Sequence, residues 1–215
     1  MIDTLAVIYG LVMIYVSATN RIKTHIKILS MQGILLFFIC YFALGTGSFY
    51  TFVFLAFETL LVKAIAIPGV LNRVLRGKNI YLSNDLRIPS IYSLIITSGI
   101  VFASFIASNI QSVSLDPTSK LILSVSLASI VISLFFITTR KSVVTSVIDY
   151  VMMENAIFLL SLTLSKEMPI IVSMGVLLDV FIAVFILGFL INKVSETFGQ
   201  EHGNALRMLK DSDDD

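Results

Sequence analysis

The sequence predicts an all-helical integral membrane protein. Three observations carry that prediction: 57% of the 215 residues are hydrophobic, only 13% are charged, and the mean hydropathy is +0.96. The apolar runs are continuous rather than alternating, which argues against a β-barrel. Runs of ~17–25 mostly apolar residues, enough to cross ~30 Å of hydrocarbon as a helix, give seven expected spans. They are Ile2–Ser17, Ile28–Leu44, Phe49–Leu71, Ile88–Ile110, Leu121–Thr138, Val143–Leu164 and Met168–Ile191. The connections are short and polar, and leave no room for a separate soluble domain.

The first run lacks a basic leader, carries Asp3, and passes into Asn20 and Arg21 without a small-residue cleavage site, so it reads as a retained helix. Cys40 is the one cysteine, which precludes an internal disulfide and a cysteine-rich metal or iron–sulfur cluster. His25 and His202 fall in polar segments, away from any intramembrane haem position. No cofactor is expected on this chain.

The basic residues define an orientation. Arg21, Lys23, Lys27, Arg73, Arg76, Lys78, Arg87, Arg140, Lys141, Lys193, Arg207 and Lys210 fall on one side of the predicted topology, and only Lys120 and Lys166 on the other. Positive-inside asymmetry then puts the N-terminus outside and the C-terminus in the cytoplasm of a cell membrane. The acidic end, Asp211 to Asp215, reads as a solvated tail.

A weak internal repeat is visible. "RIKTHIKILSMQGILLFF" from Arg21 and "RKSVVTSVIDYVMMENAIFLL" from Arg140 each open basic and continue apolar, and "LNRV" (Leu71–Val74) lies about 120 residues before "INKV" (Ile191–Val194). Spans one to three then correspond to spans five to seven in a parallel repeat, with the fourth restoring parity. The organisation expected is an N-terminal three-helix repeat over 1–87, a linking helix over 88–111, a C-terminal three-helix repeat over 112–194 and a polar tail over 195–215.

Five ionisable residues fall inside spans: Glu58, Lys63, Asp149, Glu154 and Asp179. Each costs ~2.5–3.5 kcal/mol at mid-bilayer on insertion scales, which calls for a reason. At ~1.5 Å per residue they sit about 12–21 Å from the outer boundary, in the middle third. Glu58 and Lys63 are five residues apart, as are Asp149 and Glu154, which on an α-helix separates each pair by about 140° and directs their partners to other helices. Similar depth and opposite sign suggest a Lys63–Asp149 contact. Gly175 and Ala183, one turn either side of Asp179, let a neighbouring helix approach it closely. Pro68 is expected to kink or end the third span.

Burial and opposite charge act on protonation in opposing directions, so a row of such groups can pass protons near neutrality. The alternative is a set of static interhelical contacts worth ~0.6–2 kcal/mol each.

"DYVMMENAIFLLSL" (Asp149–Leu162) followed by "VSMGVLLDVFIAVFILGFLINKV" (Val172–Val194) resembles the C-terminal region of hydrogenase-4 component E, in its Tyr-x-x-Met-Glu-Asn run and the later Asp in an "IxxDxxxAVxVxxxLxxK"-like helix. The two helices are also similar to the small three-helix membrane protein of respiratory complex I known as its K component, and to the counterpart of that protein in multisubunit cation/proton antiporters. Asp179 matches the second acid of those proteins, and Glu154 lies about one turn beyond the first. The N-terminal half agrees more loosely, through "TNRIKTHIKILSMQGILLFF" and "FLAFETLLVKAIAIPGVL".

The resemblance implies a non-catalytic subunit of a complex I-like, energy-converting oxidoreductase. Its partners would be large antiporter-like membrane subunits and a peripheral nickel–iron hydrogenase or related redox module. Glu154, Asp179, Glu58, Lys63 and Asp149 would contribute to a path for H⁺ or Na⁺. A subunit of a Na⁺/H⁺ antiporter, a stand-alone ion transporter and a spacer sealing larger subunits are the alternatives. Nothing points to nucleic acid.

Overall fold

The computed structural model describes residues 1–19, 21–44, 53, 55–76, 88–110, 116–140, 143–164 and 175. Every secondary-structure element among them is a helix. α1 runs Ile2–Ala18 and α2 Ile22–Leu44; α3 is continuous through a π-helical stretch, Phe57–Ala66, and an α-helical one, Ile67–Arg76. α4 runs Ser90–Ile110, α5 Pro117–Thr139 and α6 Val143–Leu164. Four stretches among the described residues are long and apolar enough to cross a membrane: Ile22–Ala43, Ser90–Ile110, Pro117–Thr139 and Thr145–Thr163. The chain is a multi-pass helical membrane protein. Apart from Gly175, the expected seventh span, with Asp179, and the tail lie outside the described residues.

The helices form two rows. α2 packs between α1 and α3, and α5 between α4 and α6; α1 lies over α4 and α5, and α2 over α6. Their shared core includes Tyr9 and Met13 of α1, Leu29, Leu36 and Ile39 of α2, Ile132 and Phe136 of α5, and Ile148, Met152 and Phe158 of α6. α4 turns its apolar residues outward, with Ile91, Ile95, Phe102 and Ile110 exposed, and its Ser93, Thr97, Ser104 and Ser108 inward. The hydroxyls of Ser108 and Ser124 hydrogen-bond across the α4–α5 contact. This is the small, polar packing surface expected where lipid takes the apolar side.

Three local features differ from expectation. α2 starts six residues before the expected Ile28, because Ile22, Ile26 and Leu29 recur at helical spacing and are buried while Lys23 and Lys27 stay exposed. Pro68 neither ends nor interrupts the third helix. The π stretch runs directly into the α-helical one, the Ile67 N–H bonding back to the Val62 carbonyl, and Pro68 is the second residue after the change of winding.

The third difference is the π-helix itself, whose i→i+5 bonding makes residues five apart neighbours. It rests against Gly33 of α2: a Cβ there would lie 2.8 Å from the Ala64 backbone nitrogen and 2.9 Å from its Cα. Gly33→Ala is expected to lower stability by about 1–3 kcal/mol through overpacking. Gly69→Ala, where a Cβ meets nothing within 4 Å, is expected to be neutral or mildly stabilising. Unfolding of the two variants in mixed micelles compares them directly.

Candidate functional site

Four of the five expected residues are buried in protein: Glu58 and Asp149 at 0% exposure, Lys63 at 1% and Glu154 at 2%. Asp179 lies outside the described residues. The four fall into two groups.

The inner group joins α3 to α6. Lys63 Nζ lies 3.6 Å from Glu58 Oε1, an ion pair within one helix. The expectation that these side chains point to different helices fails because it assumed 3.6 residues per turn; in the π stretch, residues five apart stack. The same ammonium sits 4.3 Å from the centroid of the Phe158 ring, and its charge also interacts with Glu154. Glu154 and Phe158 are four residues apart on α6 and present one face to Lys63. Cys40 of α2, 2% exposed, is close enough for its thiol to interact with both Glu58 and Lys63. Next to Glu154, the Asn155 amide is fully buried and finds no hydrogen-bond partner among the described residues. An unsatisfied buried amide costs ~1–3 kcal/mol, so it too belongs to the polar character of this region.

The second group lies at the end of the bundle where α1 passes into α2 and α5 into α6. Arg140 Nε donates to Asp149 Oδ2 at 3.1 Å, and His25 Nδ1 is 4.0 Å from Asp149 Oδ1. One Arg140 Nη is 3.4 Å from each ring nitrogen of His25, and the guanidinium packs 4.9 Å from the Phe136 ring centroid. His25 Nε2 lies 2.9 Å from the Thr19 carbonyl. The Lys63–Asp149 contact expected from depth and sign is therefore replaced by two others: Asp149 pairs with Arg140, and Lys63 with Glu58.

No protein-family profile matches the chain, and no solved structure does. One relative does. The uncharacterized protein Rv0085 of Mycobacterium tuberculosis is 28% identical over 155 residues, covering 71% of this chain and 70% of the relative.

Sequence reasoning missed His25 and Arg140 as site residues, placing both in polar connections. Yet His25 is 1% exposed and Arg140 4%. The signal was present for His25, which falls beside Ile22, Ile26 and Leu29 on the buried side of α2. For Arg140 there was none, because a basic residue just past a span usually marks only orientation.

Arg140→Ala would leave Asp149 buried without its guanidinium, and a stability loss of about 3–5 kcal/mol is expected. Arg140→Lys should keep the charge while losing the fork geometry, and so fall between the two. Unfolding midpoints of the three proteins test this order.

Proposed function

We propose that the chain is a non-catalytic membrane-arm subunit of a complex I-like, energy-converting oxidoreductase of the hydrogenase-4 type, lending buried acids to a path for H⁺ or Na⁺. The observation that carries this reading is the convergence of Glu154, Glu58 and Lys63, from two helices, in the protein interior. A structural contact needs one ion pair; a third ionisable group within electrostatic range of the same ammonium offers it a second carboxylate. Such a choice is what a relay uses. The likeness of Tyr150–Lys193 to hydrogenase-4 component E supplies the partners: antiporter-like membrane subunits and a peripheral nickel–iron hydrogenase or related redox module.

Two further features support the reading. α1 packs on α5 and α2 on α6, so these two helices each lie on their counterpart in the proposed three-helix duplication, as in an assembly built from two related halves. The excess of Lys and Arg on one set of connections puts that set in the cytoplasm and the N-terminus outside.

The test is purification of the native complex in mild detergent with identification of the co-migrating subunits. A redox module together with antiporter-like subunits is expected; antiporter subunits alone, or none, overturns the oxidoreductase assignment. Asp179→Asn should impair ion movement in the same complex, and full ion pumping in that variant would leave the acids as scaffolding.

A further inference from the structure

We propose that His25, Asp149 and Arg140 form a proton-loading site, in which His25 Nδ1 takes a proton from the end of the bundle and passes it to Asp149 Oδ1. This rests on the relay reading above but adds two residues and assigns the atoms.

The assignment follows from the tautomer. A backbone carbonyl only accepts, so the 2.9 Å contact from His25 Nε2 to Thr19 fixes a proton on Nε2. In the neutral ring Nδ1 is then the free base, and it faces both an Arg140 Nη, at 3.4 Å, and Asp149 Oδ1, at 4.0 Å, so loading displaces the guanidinium N–H from Nδ1. The other carboxylate oxygen is engaged by Arg140 Nε at 3.1 Å, which leaves Oδ1 turned toward the ring.

The charged and titratable groups facing His25 among the described residues are Arg140 at the end of α5 and Asp149 on α6, while Lys23 and Lys27 lie on the exposed side of its own helix. The site sits shallow in the bundle. His25 is in the first turn of α2, Arg140 directly follows α5, and Asp149 is about 9 Å into α6 by helical rise.

The step balances as a single proton moving. Hydronium at the bundle end gives a proton to Nδ1 and leaves as water, and the imidazolium keeps Nε2–H on Thr19. Opposite charge then draws Nδ1–H and Oδ1 from 4.0 Å toward hydrogen-bond length. Transfer leaves a neutral carboxyl and the original tautomer, ready to load again. Asp149 lies five residues before Glu154 on the same helix, on the way to the inner group.

Arg140 is a positioning residue. It holds Oδ2, and its Nη1, buried and without a hydrogen-bond partner among the described residues, leaves it room to re-aim when the ring becomes a cation.

Solid-state nitrogen NMR of the full chain in bilayers reads the ring directly. His202 is the other histidine in the sequence, so His202→Gln leaves one signal. The expected result is an Nε2–H tautomer at high pH that gains an Nδ1 proton as pH falls, with Asp149→Asn changing the midpoint of that titration. An Nδ1–H tautomer, a ring that never changes protonation between about pH 3 and 9, or a midpoint blind to Asp149→Asn overturns the proposal.

In vesicles of the native complex, His25→Gln retains an amide donor for Thr19, and should slow proton uptake by about tenfold or more. Uptake at the full rate with an unaltered pH profile overturns the site. The NMR result stands independently of pumping, so failure of the relay reading, seen as full pumping in Glu154→Gln, is distinguishable from failure of this site.

Discussion

Glu154→Gln is expected to reduce substrate-driven ion movement by about a hundredfold while leaving the subunit assembled in its complex. Gln matches Glu in shape and keeps two polar atoms, so the buried packing at this position survives and the exchangeable carboxyl proton does not. Glu154→Asp retains the carboxyl on a shorter arm and should keep partial activity, since a relay tolerates distance less than it tolerates loss of the group. The measurement is ΔpH formation in inverted membrane vesicles, with subunit abundance read from the same preparation. Wild-type rates in Glu154→Gln would remove Glu154 from any ion path.

The second large effect concerns Lys63. Lys63→Met strands the Glu58 carboxylate at 0% exposure, and a stability loss of about 3–5 kcal/mol is expected. Glu58→Gln should cost less, because Lys63 still has the Glu154 charge and the Phe158 ring. The double variant Glu58→Gln/Lys63→Met removes both charges and should recover most of what Lys63→Met loses. Unfolding in mixed micelles gives the cycle, and additive losses would show that the pair is not coupled.

The membrane-spanning class and the presence of the longer helices were legible because they depend on run length, whereas helix starts were less so: α2 and α5 begin six and four residues before the expected Ile28 and Leu121. The sixth span, Val143–Leu164, coincides with α6 at both ends. What was not legible depends on local departures from regularity. The Glu58–Lys63 pair is invisible at 3.6 residues per turn and obvious once the helix is π, but no residue in "FETLLVKAIA" announces that change. Burial of Glu154 could be expected from the cost of exposing a carboxylate to lipid; its meeting with Lys63 depends on how far α3 is unwound. Asp149 was assigned the wrong cation for a related reason: depth along a helix is countable, whereas the direction a side chain takes around it is set by neighbours such as Arg140.

Cys40 gives the molecule a built-in gauge. As the one thiol in the sequence, set against the Glu58–Lys63 pair, it reports whether water ever reaches that depth. A small, charged methanethiosulfonate cannot react with a sulfur sealed in dry protein, because the thiolate and the reagent both need solvent. Modification that proceeds during turnover and stops when turnover stops would reveal intermittent wetting of the interior, with no engineered label and no change to the native chain.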